Sequence, residues 1–188
     1  MSKEQKTRVC PVEKAGGLDN FVRRFLQSPR KILKPYIKKG MTVLDLGCGP
    51  GFFSIEIARM LSETGKVIAA DLQEGMLEKV RAKIAGTKME QRIMLHKCQK
   101  NNINLTHKVD FILAFYVIHE VPDHDKLFKE LSSILNPGGL LFIAEPKGRV
   151  SKKAFDLMVH KILANGLEVV NNPKIFFSRT VVLKSKSI

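Results

Sequence analysis

Three glycines at alternate positions are the first place in this chain where chemistry is written. Gly47, Gly49 and Gly51 follow the apolar run Val43-Leu44-Asp45-Leu46, and a helical pattern begins at Phe52. Glycines let a backbone turn tightly and let a ligand approach it closely. Asp71 follows Gly51 by 20 residues and ends the second apolar run, Lys66–Ala70. A carboxylate there can accept both hydroxyls of a ribose. Asp45 lies two residues before the first glycine, where it would repel phosphate but suits a ligand with an amino group and no phosphate. Two cofactors come into view. A dinucleotide site wants GxGxxG with a pyrophosphate on the helix N-terminus, but Phe52 stands where its third glycine belongs. S-adenosyl-L-methionine fits the loop and both carboxylates. A tight turn without a ligand is the plain structural alternative.

Such a loop works only if strands and helices hold it. Thr42–Leu46 and Lys66–Ala70 read as strands, with helices over 52–61 and 74–84 after them. Arg92–Lys97 is a weaker strand and Val109–Ala114 a strong one, followed by a helix near Asp123–Leu135. Asn136-Pro137-Gly138-Gly139 reads as a turn before a strand over Leu140–Ala144. Lys152–Leu163 is amphipathic, with Phe155, Met158, Val159 and Ile162 on one face. Leu167–Val170 and Lys174–Leu183 form a closing hairpin about Asn171-Asn172-Pro173. Strands alternating with helices predict an α/β fold with a mostly parallel sheet covered on both faces. Ahead of the sheet, 18–26 carries a helical pattern, and Ser28-Pro29 opens a short basic helix that Pro35 and Gly40 end.

With these segments in order, the chain resembles the class I S-adenosylmethionine-dependent methyltransferases over about residues 28–184. VLDLGCGPG (43–51), AADLQEGML (69–77), VDFILAFYVIHEVPD (109–123) and LNPGGLLFIAEP (135–146) stand as that family's motifs do. The resemblance implies a Rossmann-like, doubly wound, seven-stranded sheet with an antiparallel C-terminal strand. It implies that Asp45, Gly47, Gly49 and Gly51 line the cofactor, that Asp71 holds the ribose, that Met76 packs near the adenine, and that Leu72, Ala114 and Phe115 add contacts. After the third strand the family usually has an acidic residue facing the adenine amino group. Gln99 falls nearest that position, and its amide oxygen can accept the same hydrogen bond.

Methyl transfer from a sulfonium needs the acceptor atom in line and water excluded, and a base only where the nucleophile must lose a proton. The resemblance therefore fixes no obligatory catalytic residue. Candidates after the fourth strand are Tyr116, His119 and Glu120, with Phe115 beside them. His119 is a base near neutral pH or a helix-starting wall residue. His96, His107, His124 and His160 lack metal-ligand spacing, so no metal is expected.

Composition narrows the rest. The 188 residues suit one domain, with 1–41 as a basic helical segment and 42–188 as the core. Net charge is +14, divided as +8 over 1–42, −1 over 43–146 and +7 over 147–188. Ends that meet at the cleft would form a basic rim for an anionic acceptor; ends that lie apart would serve solubility. Lysine dominates, with 23 Lys to 9 Arg, and no RNA-binding module is appended. A small-molecule acceptor is the leading expectation and RNA the alternative. A nicotinamide oxidoreductase and a non-catalytic cofactor-binding protein are the competing classes. Cys10, Cys48 and Cys98 form no CxxC pair and fit a reducing, cytoplasmic setting. The apolar runs are too short to span a membrane. Oligomeric state is not legible.

Overall fold

Central strands buried almost along their whole length, with side chains pointing alternately to the two faces, build two cores. Val43 packs on one face of the sheet and Leu44 on the other, and Val67 and Ile68 divide the same way, as the two-residue period of a strand requires. A computed structural model describes residues 27–100 and 102–186. The helical pattern expected over 18–26 and the first residues of the basic segment lie outside them.

The seven strands are β1 (Thr42–Leu46), β2 (Lys66–Asp71), β3 (Ile93–Lys97), β4 (Val109–Phe115), β5 (Leu135–Pro146), β6 (Leu167–Asn171) and β7 (Ser178–Ser185). They form one sheet in the order β3-β2-β1-β4-β5-β7-β6. β1 to β5 are parallel neighbours, and β7 runs antiparallel between β5 and β6. The doubly wound sheet with an antiparallel terminal strand is therefore present. The order reverses between β1 and β4. In open α/β sheets a ligand crevice forms at such a switch point, beyond the strands' carboxyl ends.

The helices are α1 (Pro29–Leu33), α2 (Ser54–Met60), α3 (Glu74–Ile84), α4 (His124–Ile134) and α5 (Lys152–Leu163), with a 3₁₀ turn at Ile118–Glu120. Leu33 of α1, Ile57 of α2 and Leu77 and Val80 of α3 pack with Val43, Phe111 and Phe142 on one face. Leu127 and Leu131 of α4 and Phe155 and Ile162 of α5 pack with Leu44, Ile112 and Ile143 on the other. Pro29 begins α1, since its fixed φ suits the first helical position. Asp123 and Ser151 cap α4 and α5 through side-chain acceptors to the N–H groups of Lys126 and Ala154.

Two boundaries depart from the sequence pattern. The expected turn at 136–139 is absorbed into β5, whose pairing with β4 shifts between Val109 and Phe111. Asn136 Nδ2 donates to Asp110 Oδ1 at 2.7 Å, so a side-chain bond holds the irregular stretch to β4. The last strand begins at Ser178, four residues later than the pattern suggests, because Phe177 sits at φ +53 and breaks the extended run.

Candidate functional site at the switch point

β1 ends at Leu46, and the chain turns back at once because Gly47 takes φ +69. The N–H groups of Gly47 and Cys48 both donate to Ala70 O, at 2.8 and 3.0 Å. Gly49 N–H donates to Asp71 Oδ2 at 2.9 Å, and Gly51 N–H to Cys48 O at 3.1 Å. Four amide donors of the loop are therefore spent inside the protein. A phosphate cradle needs such donors free and converging on an anion. This loop instead binds itself to the end of β2.

Gly47 is required for a second reason. A Cβ built on it would lie 2.5 Å from Val117 Cγ2. The segment after β4 thus rests directly on the glycine loop, with no room for a side chain between them. At Gly51, with φ +85, the Val80 side chain of α3 stands 3.1 Å from an added Cβ.

Both carboxylates are buried. Asp45 is 2% exposed and accepts from Ser54 Oγ at 2.5 Å, so the first residue of α2 fixes one of its oxygens. Asp71 is 8% exposed, and its other oxygen accepts Gln73 N–H at 2.9 Å. Burial raises the Asp71 carboxyl above its ordinary range, and the amide bonds from Gln73, Gly49 and Leu72 offset only part of that cost. An ionised carboxylate has about four acceptor directions, so Asp71 retains capacity beyond these amides. Met76 is buried, yet it belongs to neither core cluster. Leu72 leaves an apolar side chain exposed beside Asp71. Cys98 N–H donates to Asp71 O, and Gln99 is an exposed residue in a tight turn paired with Asn102. Burial pushes both nearby thiols up, Cys48 well above its ordinary value and Cys98 to about 12.

Across the switch point, Ala114 and Phe115 end β4 as buried residues. The Phe115 ring lies 4.5 Å from the rings of both Phe53 and Tyr116. Tyr116 takes φ +64 and donates its N–H to Ala144 O at 2.8 Å. Its hydroxyl is held at 2.6 Å by both Ser178 Oγ and Gln27 Nε2. Gln27 therefore joins the segment before α1 to the start of β7. Glu120 is partly exposed and donates its N–H to Val117 O.

One residue of the site was not singled out from the sequence. Glu145, near the end of β5, is fully buried and accepts Ile118 N–H at 2.8 Å and His119 Nδ1 at 2.5 Å. The signal was a single acidic residue closing the apolar run Leu140–Ala144. Nothing in the sequence says that it meets His119, 26 residues away.

The N-terminal segment and the C-terminal hairpin do meet. Tyr36 stacks on Phe111 and meets Phe142 edge to face, and its hydroxyl accepts from Asn171 Nδ2 at 2.9 Å. Their contact runs down the flank of the sheet: Gln27 lies at the cleft end, while Lys38 and Lys39 border Asp110 and Asn136 at the opposite end. Among the described basic residues, Arg30 and Lys31 belong to α1 on one face of the sheet, and Lys152, Lys153 and Lys161 to α5 on the other.

Comparison with known proteins agrees with this architecture. Residues 37–182 match the methyltransferase-domain family. The ubiquinone/menaquinone biosynthesis C-methyltransferase of Haemophilus ducreyi is 32% identical over 121 residues, covering 64% of this chain and 45% of that protein. The demethylmenaquinone methyltransferase of Lactococcus lactis is 30% identical over 130 residues, covering 66% and 50%. The chain thus spans about half the length of the curated relatives it matches. An S-adenosylmethionine-dependent methyltransferase from Aquifex aeolicus superposes with a TM-score of 0.80 at 28% identity, over 94% of this chain and 98% of that one. A methyltransferase from Pyrococcus furiosus, at 19% identity and a TM-score of 0.69 over 94% and 98%, shares the fold.

Proposed function

The chain belongs to the methyltransferase-domain family, and from that premise we propose that it is an S-adenosyl-L-methionine-dependent enzyme that methylates a small-molecule acceptor. One observation carries the choice of cofactor. The glycine loop spends its amides on Ala70, Asp71 and Cys48 and so offers no phosphate cradle, while two buried carboxylates stand at its two sides. That donor and acceptor set fits a ligand with an ammonium group, a ribose and no phosphate.

In this reading Asp45 and the loop of Gly47, Gly49 and Gly51 hold the amino-acid end of the cofactor. Asp71 accepts the ribose hydroxyls. Leu72 and Met76 flank the adenine, Gln99 faces its amino group, and Ala114 and Phe115 line the side toward the acceptor. The cofactor supplies an electrophilic methyl on a positive sulfonium. The protein's own part is placement: Ser54 fixes the Asp45 carboxylate, Asp71 ties the loop to β2, and Val117 presses the acceptor-side segment onto Gly47. Holding reactants in line accounts for much of the barrier reduction in such transfers.

A small-molecule acceptor is favoured by the relatives, whose names describe C-methylation in quinone biosynthesis, and by a core with no large insertion in its sequence. A second reading, RNA, draws on the basic ends of the chain, +8 over 1–42 and +7 over 147–188. Residues 1–41 are read as a basic appendage to one domain whose core is 42–188. No helix among the described residues is long and apolar enough to cross a membrane, and free thiols at Cys48 and Cys98 fit a cytoplasmic setting.

The deciding experiment is calorimetry with adenosylhomocysteine and, separately, with NADH, followed by labelled-methyl transfer to fractionated metabolites, RNA and protein. Binding of adenosylhomocysteine and labelling of a metabolite are expected. Binding of NADH in its place would overturn the cofactor, and labelling confined to RNA would overturn the acceptor class.

A further inference from the structure

We propose that His119 and Glu145 form a general-base pair on the acceptor side of the cleft, and that the acceptor is therefore a phenolic or enolic hydroxyl compound. The inference rests on the methyltransferase reading and deepens it.

The geometry begins with Glu145. It is fully buried in β5, and both its oxygens are used: Oε1 accepts Ile118 N–H at 2.8 Å and Oε2 meets His119 Nδ1 at 2.5 Å. An ionised carboxylate only accepts, so Nδ1 carries the hydrogen and Nε2 presents its lone pair. Nε2 makes no hydrogen bond among the described residues, and the His119 side chain is 17% exposed. A buried acid costs stability unless its partners hold it. Glu145 spends both its buried oxygens on orienting one imidazole and the turn that bears it. That turn begins one residue beyond Val117, which touches Gly47. Its place is therefore beside the loop read as holding the cofactor.

Phe53, Phe115 and Tyr116 pack ring against ring, mutually tilted, at the end of β4; Phe53 and Phe115 are buried, and Tyr116 is the partly exposed ring next to the turn. The Tyr116 hydroxyl is held by Ser178 and Gln27, so this phenol serves position while His119 keeps a free lone pair. Arg179, directly opposite Glu145 on β7, donates Nε to Val150 O. Glu120 adjoins His119 in the turn, and His124 Nε2 bonds Ile118 O from α4.

The proton balance follows. The acceptor O–H proton passes to His119 Nε2 as its oxygen pair, or the ring carbon conjugated with it, forms the bond to the methyl. The electron pair of the broken C–S bond stays on sulfur as a neutral thioether. Glu145 holds the resulting imidazolium until its proton leaves to water; on the carbon route, the ring carbon then gives its own proton to water while the oxygen takes one back from water, restoring the aromatic hydroxyl. Free imidazole titrates at about 6.5 and a phenol at about 10, close enough for concerted transfer, whereas an aliphatic alcohol lies far above.

Three measurements test the pair. Nitrogen-15 NMR of the ligand-free protein at neutral pH is expected to show His119 with hydrogen on Nδ1. The opposite tautomer overturns the geometry, and Glu145→Gln should lose the preference. Carbethoxylation mapped by peptide mass spectrometry is expected to modify His119 and to slow several-fold with adenosylhomocysteine bound. An unreactive His119, or no protection, overturns its place at the site. Labelled-methyl transfer is then compared between 1,4-naphthohydroquinone, catechol and 4-nitrophenol and the proton-free acceptors dimethylaniline and dimethyl sulfide. Transfer to a hydroxyl compound should fall about 100-fold or more in His119→Gln, with adenosylhomocysteine affinity unchanged. Transfer only to the proton-free acceptors, transfer to none of the hydroxyl compounds, or an unchanged rate in the variant overturns the proposal. Failure of the wild type to bind adenosylhomocysteine would instead overturn the methyltransferase reading.

Discussion

Val117 Cγ2 lies 2.5 Å from the point where a Cβ on Gly47 would stand. Two independent demands meet at that glycine, a left-handed φ of +69 and the contact with the segment after β4. Gly47→Ala should therefore lose about 2–5 kcal/mol, combining backbone strain and overpacking. Val117→Ala on top of it should recover only part of the overpacking, since the Val117 Cβ itself stands 2.8 Å from the added Cβ. Denaturant unfolding of the four-member cycle measures this. Full recovery in the double variant would show that the backbone conformation costs nothing.

Asp45 and Ser54 should act as a unit toward the cofactor. Asp45→Ala is expected to abolish adenosylhomocysteine binding. Ser54→Ala, which removes the 2.5 Å hydroxyl bond, should weaken binding about tenfold, the loss of one hydrogen bond to a charged group. Calorimetry reads both. Unchanged affinity in Asp45→Ala would move the pocket elsewhere.

Asp71 carries an unusual sign. Its carboxyl is raised in the folded chain, first by burial. Between the ordinary value near 3.8 and the raised one, the folded state binds the proton and the unfolded state does not. Stability from this group is thus gained as pH falls through that window and lost as pH rises, opposite to a salt-bridged carboxylate. The stability of the wild type relative to Asp71→Asn should increase as pH falls from 7 toward 4, in urea unfolding at several pH values. Cofactor affinity should move the other way, since the ribose hydroxyls donate to the ionised form.

The thiols should be inert in the folded protein. With Cys98 at about 12 and Cys48 also raised well above its ordinary value, only about one part in ten thousand of Cys98 is thiolate at pH 8. Iodoacetamide at pH 8, followed by peptide mass spectrometry, should leave both unmodified until denaturant is added. Rapid labelling of Cys98 in the native protein would contradict its burial.

Tyr116→Phe removes the hydroxyl that joins Gln27 to Ser178. It should cost about 0.5–1.5 kcal/mol, the worth of one ordinary hydrogen bond, because Ser178 keeps its bond to Phe176 O. Thermal unfolding measures the loss, and adenosylhomocysteine affinity should change little, since the bond lies on the acceptor side.

What the sequence determined by itself was local and periodic. The apolar runs at Val43-Leu44 and Val67–Ala70 marked strands buried on both faces, because successive side chains point to opposite faces of an extended chain. The glycines, Asp45 and Asp71 marked the crevice, because a turn with left-handed residues needs glycine whatever surrounds it. The amphipathic stretch Lys152–Leu163 became α5 over those residues. The tertiary structure decided the rest through contacts between distant segments. The pairing of Glu145 with His119, the hold of Gln27 and Ser178 on Tyr116, and the seat of Val117 on Gly47 leave no period in the chain. Even the starting point of the last strand depended on Phe177, whose left-handed backbone no residue preference announces. A carboxylate's role depends on which donors the folded sheet carries to it, and sheet order alone brings the ends of β4 and β5 together.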